Sequence, residues 1–120
     1  MQAVIWRLKG EYKLNINYEE SAQLLKVISD PNRLKIIDIL SCGELCACDI
    51  LDHFEFTQPT LSHHMKVLAD AGFVEVRKDG LWSYYSLNRN ELNKIVKLLM
   101  DVVNESERCI CKEIGYKDCK

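Results

Sequence analysis

The sequence lacks the marks of several large protein classes. No apolar run approaches the roughly 20 residues that a membrane-spanning helix needs. The stretch Met1 to Gly10 has neither a continuous apolar segment nor a small-residue cleavage site. It therefore predicts no secretory signal, and a soluble chain in the cytoplasm that makes no membrane contact. There is no basic excess: 16 Lys and Arg stand against 18 Asp and Glu, a formal net charge of −2. Nucleic-acid-binding domains usually carry a basic footprint, so any DNA contact must come from a local patch, doubled by a partner subunit. Enzyme signatures are missing too. No paired carboxylates, Gly-rich phosphate loop or Ser-His-Asp set stands out, and no Cys-X-X-Cys sits in the strand–motif–helix setting of a thiol reductase. These absences argue against an enzyme.

What the chain does have is cysteine, six in 120 residues. In a secreted chain that count would suggest a disulfide framework. Without a signal segment, metal-binding or redox-active thiols are the better reading. The length and a hydrophobic content of 48% fit one domain with a modest core.

Residues 1–16 are mixed and non-periodic and read as an N-terminal arm. The body of the protein, 17–108, then follows, and residues 109–120 make a short cysteine-rich tail broken by Gly115. Asn17 with Glu20 predicts a capped helix start. Asp30-Pro31 closes that helix and opens a second, in which Leu34, Ile36, Ile37, Ile39 and Leu40 are expected to be largely buried before Ser41-Cys42-Gly43 stops it. Glu44 to Phe54 reads as a short helix facing inward through Leu45, Ile50, Leu51 and Phe54. Thr57 caps another helix, with Pro59 in its first turn, ending at Gly72. Two short helices joined by a tight turn spell a helix-turn-helix. Phe73 to Lys78 alternates apolar with charged residues, Asp79-Gly80 signals a hairpin turn, and Leu81 to Leu87 returns with Trp82, Tyr84 and Tyr85. A hairpin directly after a recognition helix is a wing. Asn88 with Glu91 caps a long last helix whose broad apolar face, from Leu92 to Val103, calls for a partner subunit. The expected fold is mainly α (α+β): a winged helix-turn-helix with a β-hairpin wing and terminal helices forming a dimer interface.

A helix that reads DNA needs polar side chains on its outer face and apolar anchors on the other. In Gln58-Pro59-Thr60-Leu61-Ser62-His63-His64-Met65-Lys66-Val67-Leu68, the anchors are Leu61, Met65 and Leu68. Gln58, Thr60, Ser62, His63 and Lys66 are the candidate DNA contacts. His64, beside the apolar stripe, is expected to pack. Arg77 and Lys78 flank the wing tip, where backbone or minor groove would be met.

Cys46-Ala47-Cys48 is the sharper signal. Two thiols one residue apart, near a helix start, lie where thiolate is favoured, and thiolate is the form that binds soft metals. Cys109-Ile110-Cys111 repeats the spacing. The third ligand is left open among Cys42, Cys109, Cys111 and Cys119, and His53 reads as a surface residue.

These motifs carry a resemblance. Glu44-Leu45-Cys46-Ala47-Cys48-Asp49-Ile50 is similar to the metal-binding box of the ArsR/SmtB family of metal-responsive repressors. Gln58 to Leu68 resembles its recognition helix, and Arg77-Lys78-Asp79-Gly80 with Tyr84, Tyr85 and Leu87 resembles its wing. The similarity covers roughly residues 18 to 111 and points to the arsenic-responsive repressors. The tail segment Arg108-Cys109-Ile110-Cys111-Lys112 resembles that of some Gram-positive members. The resemblance implies a homodimer on double-stranded operator DNA with an inverted repeat, released when arsenite or antimonite, the inducer, is held by three thiolates. Cys46 and Cys48 carry over. In one version of the box a further cysteine follows three residues after the second, but here that position is Leu51. A cadmium- and lead-sensing branch completes the box from its N-terminal arm, and residues 1–16 hold no cysteine. Two alternatives share this fold: a cadmium- or lead-responsive repressor, and a regulator switched by thiol oxidation.

Overall fold

The computed structural model describes residues 16–104. Apart from Ile16, the expected N-terminal arm lies outside the described residues, as does the cysteine-rich tail. The chain divides into two compact units: residues 24–92, and a second made of the segments up to residue 23 and from residue 93 on. The described elements, in order, are α1 (Tyr18–Ile28), α2 (Pro31–Leu40), β1 (Leu45–Cys46), α3 (Ala47–Leu51), α4 (Gln58–Asp70), β2 (Val74–Asp79), β3 (Trp82–Leu87) and α5 (Arg89–Val103). No described helix is long and apolar enough to cross a membrane.

Helix starts fall where short polar side chains can satisfy free amides. Asn17 Oδ1 accepts from the Glu20 N–H at 2.9 Å. Asp30 Oδ1 accepts from the Asn32 and Arg33 amides at 2.8 and 3.2 Å, and Pro31 occupies the first turn of α2. Asn88 Oδ1 accepts from the Glu91 N–H at 3.3 Å at the head of α5.

The core of the 24–92 unit is built from Ile36, Leu40, Ile50, Leu61, Met65, Leu68, Phe73 and Val74, all buried. In α2 only Ile36 and Leu40 are buried, Ile37 and Ile39 are half-buried, and Leu34 is exposed. The expectation of a largely buried second helix is thus too broad. A helix against a single layer buries one stripe, here the i, i+4 pair, and leaves its other apolar residues at the edge.

The sheet has three antiparallel strands in the order β1-β3-β2. Its first strand corrects the reading of Glu44–Phe54 as wholly helical. Leu45 and Cys46 pair with Tyr85 and Tyr84, and the helix occupies only Ala47–Leu51. In the wing, Asp79 pairs with Trp82, which makes Gly80-Leu81 the two-residue loop. Gly80 has φ of 62°, a left-handed conformation that glycine adopts without steric cost.

In the second unit, Ile95 and Leu98 are buried. Val96, Leu99, Met100 and Val103 are exposed, and their spacing places them on one stripe of α5.

Candidate nucleic-acid interface and thiol site

Helix α4 presents the polar face expected of it. Gln58, Ser62, His63 and Lys66 are exposed, Thr60 is half-buried, and Leu61, Met65 and Leu68 are buried. The Thr60 hydroxyl lies 3.4 Å from that of Thr57. Lys66 Nζ is 3.3 Å from Asp70 Oδ2, with both side chains mostly exposed. Such a surface pair contributes little to stability.

His64 packs, as expected. Its Nδ1 lies 3.1 Å from Arg33 Nη1. A guanidinium only donates, so Nδ1 accepts, which leaves the ring proton of the neutral imidazole on Nε2. Burial, together with the Arg33 and His63 charges, pulls the His64 pKa below its ordinary value, although Asp30 opposes this. Arg33 Nε donates to the Val27 carbonyl at 2.7 Å. The Phe56 ring stands 5.6 Å from the imidazole. Arg33 and His64 thus tie the recognition helix to the start of α2. Nothing in the spacing of two residues 31 apart could have signalled this pair.

On the wing, Arg77 and Lys78 are both exposed. Arg77 is engaged within the protein. Its Nη2 and Nε donate to the two carboxylate oxygens of Glu44 at 2.9 and 3.2 Å, and its guanidinium lies 4.5 Å above the Tyr84 ring. This hydrogen-bonded charge holds the Glu44 carboxyl below its usual pKa. Glu44 was read only as part of a box; its role as the Arg77 partner needs the strand pairing to be seen.

The thiol pair straddles the junction of β1 and α3. Cys46 is buried, pairs with Tyr84 and caps α3; its Sγ accepts from the Asp49 N–H at 3.4 Å. Cys48 is exposed. The two Cα atoms are 5.4 Å apart and the sulfur atoms are in bonding contact. The pair is thus a closed disulfide when oxidised and two adjacent thiols when reduced. Cys46, Cys48 and Asp49 offer ligand atoms all within 4.8 Å of one another. Asp49 is a donor that the sequence reading passed over, although Cys-Ala-Cys-Asp places it one residue beyond the pair. Cys42 is exposed and free, and it is not among the clustered donors of the described residues. Cys109, Cys111 and Cys119 lie outside the described residues. His53 is exposed, and its carbonyl accepts from Lys35 Nζ at 2.9 Å.

Strand register links the two regions. Cys46 is opposite Tyr84, and Tyr84 is opposite Arg77. Residues in register share a face of the sheet, so the buried thiol and the wing cation stand in one row with the tyrosine between them.

Residues 30–76 match the family model described as bacterial regulatory protein, arsR family. Over 104 residues the chain is 50% identical to the arsenical resistance operon repressor of Staphylococcus aureus, covering 87% of this chain and all of the relative. The chain belongs to the ArsR family. Solved structures agree. The crystal structure of a possible transcriptional regulator for arsenical resistance matches with a TM-score of 0.64 at 30% identity, covering 74% of this chain and 94% of that one. The solution structure of a homodimeric winged helix-turn-helix DNA-binding domain from Mycobacterium bovis matches with a TM-score of 0.58 at 27% identity, over 72% and 79% of the two chains. As a member of the ArsR family, the chain is a winged helix-turn-helix transcriptional regulator and not an enzyme.

Proposed function

We propose that this ArsR-family chain is the homodimeric repressor of a metal(loid)-resistance operon, with arsenite or antimonite as its inducer. In this reading it sits on an inverted-repeat operator in the cytoplasm. The observation that carries it is the contact between the Cys46 and Cys48 sulfurs at the head of α3, the first helix of the helix-turn-helix. Two soft donors side by side fit a thiophilic centre and suit a hard cation poorly. The identity with arsenical resistance repressors supports the same reading.

Gln58, Thr60, Ser62, His63 and Lys66 meet the operator from α4, with Arg77 and Lys78 on its backbone from the wing. Cys46 and Cys48 are two of the inducer's ligands, and the third thiolate comes from among Cys42, Cys109, Cys111 and Cys119. Bound trivalent arsenic or antimony supplies a centre that forms stable bonds to thiolate sulfur. The protein's part is mechanical. Holding Cys46 and Cys48 on a ligand stiffens the β1–α3 junction, and α4, the next element in sequence, loses the placement that DNA needs. Inducer and DNA then disfavour each other by a reciprocal coupling of about 1–3 kcal/mol. In this account residues 1–16 are an arm, 17–108 the DNA-binding and dimerising body, and 109–120 a cysteine-rich tail.

The same sulfur contact favours a second reading, a thiol redox switch, in which closing Cys46–Cys48 releases DNA without any metal. One experiment separates the readings: fluorescence anisotropy of a labelled promoter fragment, titrated with arsenite and with cadmium under a phosphine reductant. Release by arsenite, lost in Cys46→Ser and Cys48→Ser, supports the arsenic-responsive repressor. Release by cadmium alone makes the protein a divalent-metal sensor. Release only by oxidant, reversed by reductant, supports the redox switch.

A further inference from the structure

The wing ends in an apolar tip. The strand register leaves Gly80-Leu81 as its two-residue loop, and Gly80 has no side chain, so Leu81 stands alone there. Leu81 is fully exposed, and Trp82 beside it is more than half exposed. A single exposed leucine is ordinary, but the setting of this one is specific. Leu81 and Trp82 border the same cleft as Cys48 of α3 and Gln58, the first residue of the recognition helix. The tip therefore stands beside the start of α4. Behind it, Lys78 and Asp79 are both exposed and carry opposite charges. The loop thus offers a phosphate backbone little net attraction, and what it presents outward is the leucine.

The size of this tip selects its occupant. A stable protein interface covers about 800 Å² on each partner, far more than one leucine and part of an indole provide. A lone apolar side chain on a narrow ribbon has instead the form of a wedge. Proteins that bend DNA insert leucine and similar residues between base steps from the minor groove, partly unstacking them. That groove is about 6 Å wide, and a two-residue loop with one glycine is slim enough to enter it. We propose that Leu81 enters the minor groove beside the operator half-site, partly unstacks one base step there, and so makes the protein select a deformable flank. Leu81 reads no base edge. Selection comes from the cost of deforming the step, which is least at pyrimidine–purine steps and high in stiff A-tracts. This rests on the reading of α4 and the wing as the elements that meet the operator.

The test uses the full-length reduced protein and the promoter fragment, with 2-aminopurine substituted in turn for each adenine of the flanks. Its fluorescence rises when the base unstacks. Wild type should raise it at a step in each flank. The rise should be lost in Leu81→Ala and kept in Leu81→Met; both substitutions fall on a fully exposed side chain, so neither disturbs the core. Replacing the responsive step by an A-tract should weaken wild-type binding about five- to tenfold and leave Leu81→Ala nearly unchanged. Bound wild type with no fluorescence rise anywhere in the flanks overturns the proposal, as does a rise that survives in Leu81→Ala. Tighter binding by Leu81→Lys with fluorescence unchanged also overturns it, because the tip then touches only backbone. Flat fluorescence with self-association that falls in Leu81→Ala assigns the tip to a second copy and overturns it too. Ser62→Ala reports on α4 separately. Weaker binding by Ser62→Ala without a wedge signal sinks the wedge alone, whereas a Leu81-dependent signal with binding indifferent to Ser62→Ala upholds the wedge and sinks the reading of α4.

Discussion

Arg77 on the wing is held by Glu44, the residue that leads into the cysteine strand, through hydrogen bonds of 2.9 and 3.2 Å. In the proposed reading, a wing cation that would meet a phosphate is therefore already paired with the carboxylate that precedes the cysteine strand. Both side chains are substantially exposed, so the pair is weakly held and open to competition.

A first expectation follows for DNA affinity. Neutralising the carboxylate in Glu44→Gln should tighten operator binding roughly three- to tenfold at low salt and steepen its salt dependence by about one phosphate contact. Arg77→Ala should do the reverse. Anisotropy titrations over a range of potassium chloride concentrations check both. If Glu44→Gln weakens binding as much as Arg77→Ala, the pair serves to build the wing and does not compete with DNA.

His64 gives the pH dependence. Its folded pKa lies below the ordinary value of 6.5, chiefly because burial disfavours the charged ring. A histidine depressed in this way binds fewer protons folded than unfolded, so stability is fully present above about 6.5 and is lost as pH falls through the folded value. The groups facing it include Arg33 and His63, which repel the imidazolium, and Asp30, which attracts it. Urea midpoints should fall from pH 7.5 to pH 5.5, and His64→Gln should flatten that slope. An unchanged slope in His64→Gln would place the titration elsewhere.

The core and the edge of α2 should separate cleanly. Ile36 is fully buried while Leu34 is more than half exposed. Ile36→Ala should cost about 2–5 kcal/mol of unfolding free energy, whereas Leu34→Ala should stay within about 1 kcal/mol. Equilibrium denaturation distinguishes them, and comparable losses would contradict the one-stripe packing of this helix.

The exposed stripe of α5 bears on assembly. Val96, Leu99, Met100 and Val103 share one face, and a charge placed within an apolar subunit interface is costly. Leu99→Asp should convert a dimer to monomer by sedimentation velocity at micromolar concentration, and operator affinity should drop with it. A dimer that survives Leu99→Asp unchanged would move the interface off this helix.

Much of this was legible in the sequence because it is local. The caps at Asn17, Asp30 and Asn88, the break at Ser41-Cys42-Gly43 and the hairpin around Gly80 all depend on residues within a few positions of one another. What was missed depends on distant partners. Leu45-Cys46 reads as helix in isolation, since a two-residue strand has no periodicity of its own. It becomes a strand only because Tyr84 and Tyr85, some 40 positions on, offer it a ladder. The same holds for Glu44 with Arg77 and for Arg33 with His64. The thiol pair was legible as a pair, but the cleft beside Cys48 is made by a wing that comes back to it from Leu81 and Trp82.

The most direct test of the central claim is thermodynamic linkage. Arsenite affinity is measured for the reduced protein alone and for the protein saturated with operator DNA. If occupation of Cys46 and Cys48 drives release, arsenite should bind the free protein about 5- to 150-fold more tightly than the DNA complex. That difference should vanish in Cys46→Ser. Equal affinity for the free and DNA-bound wild-type protein would contradict the account.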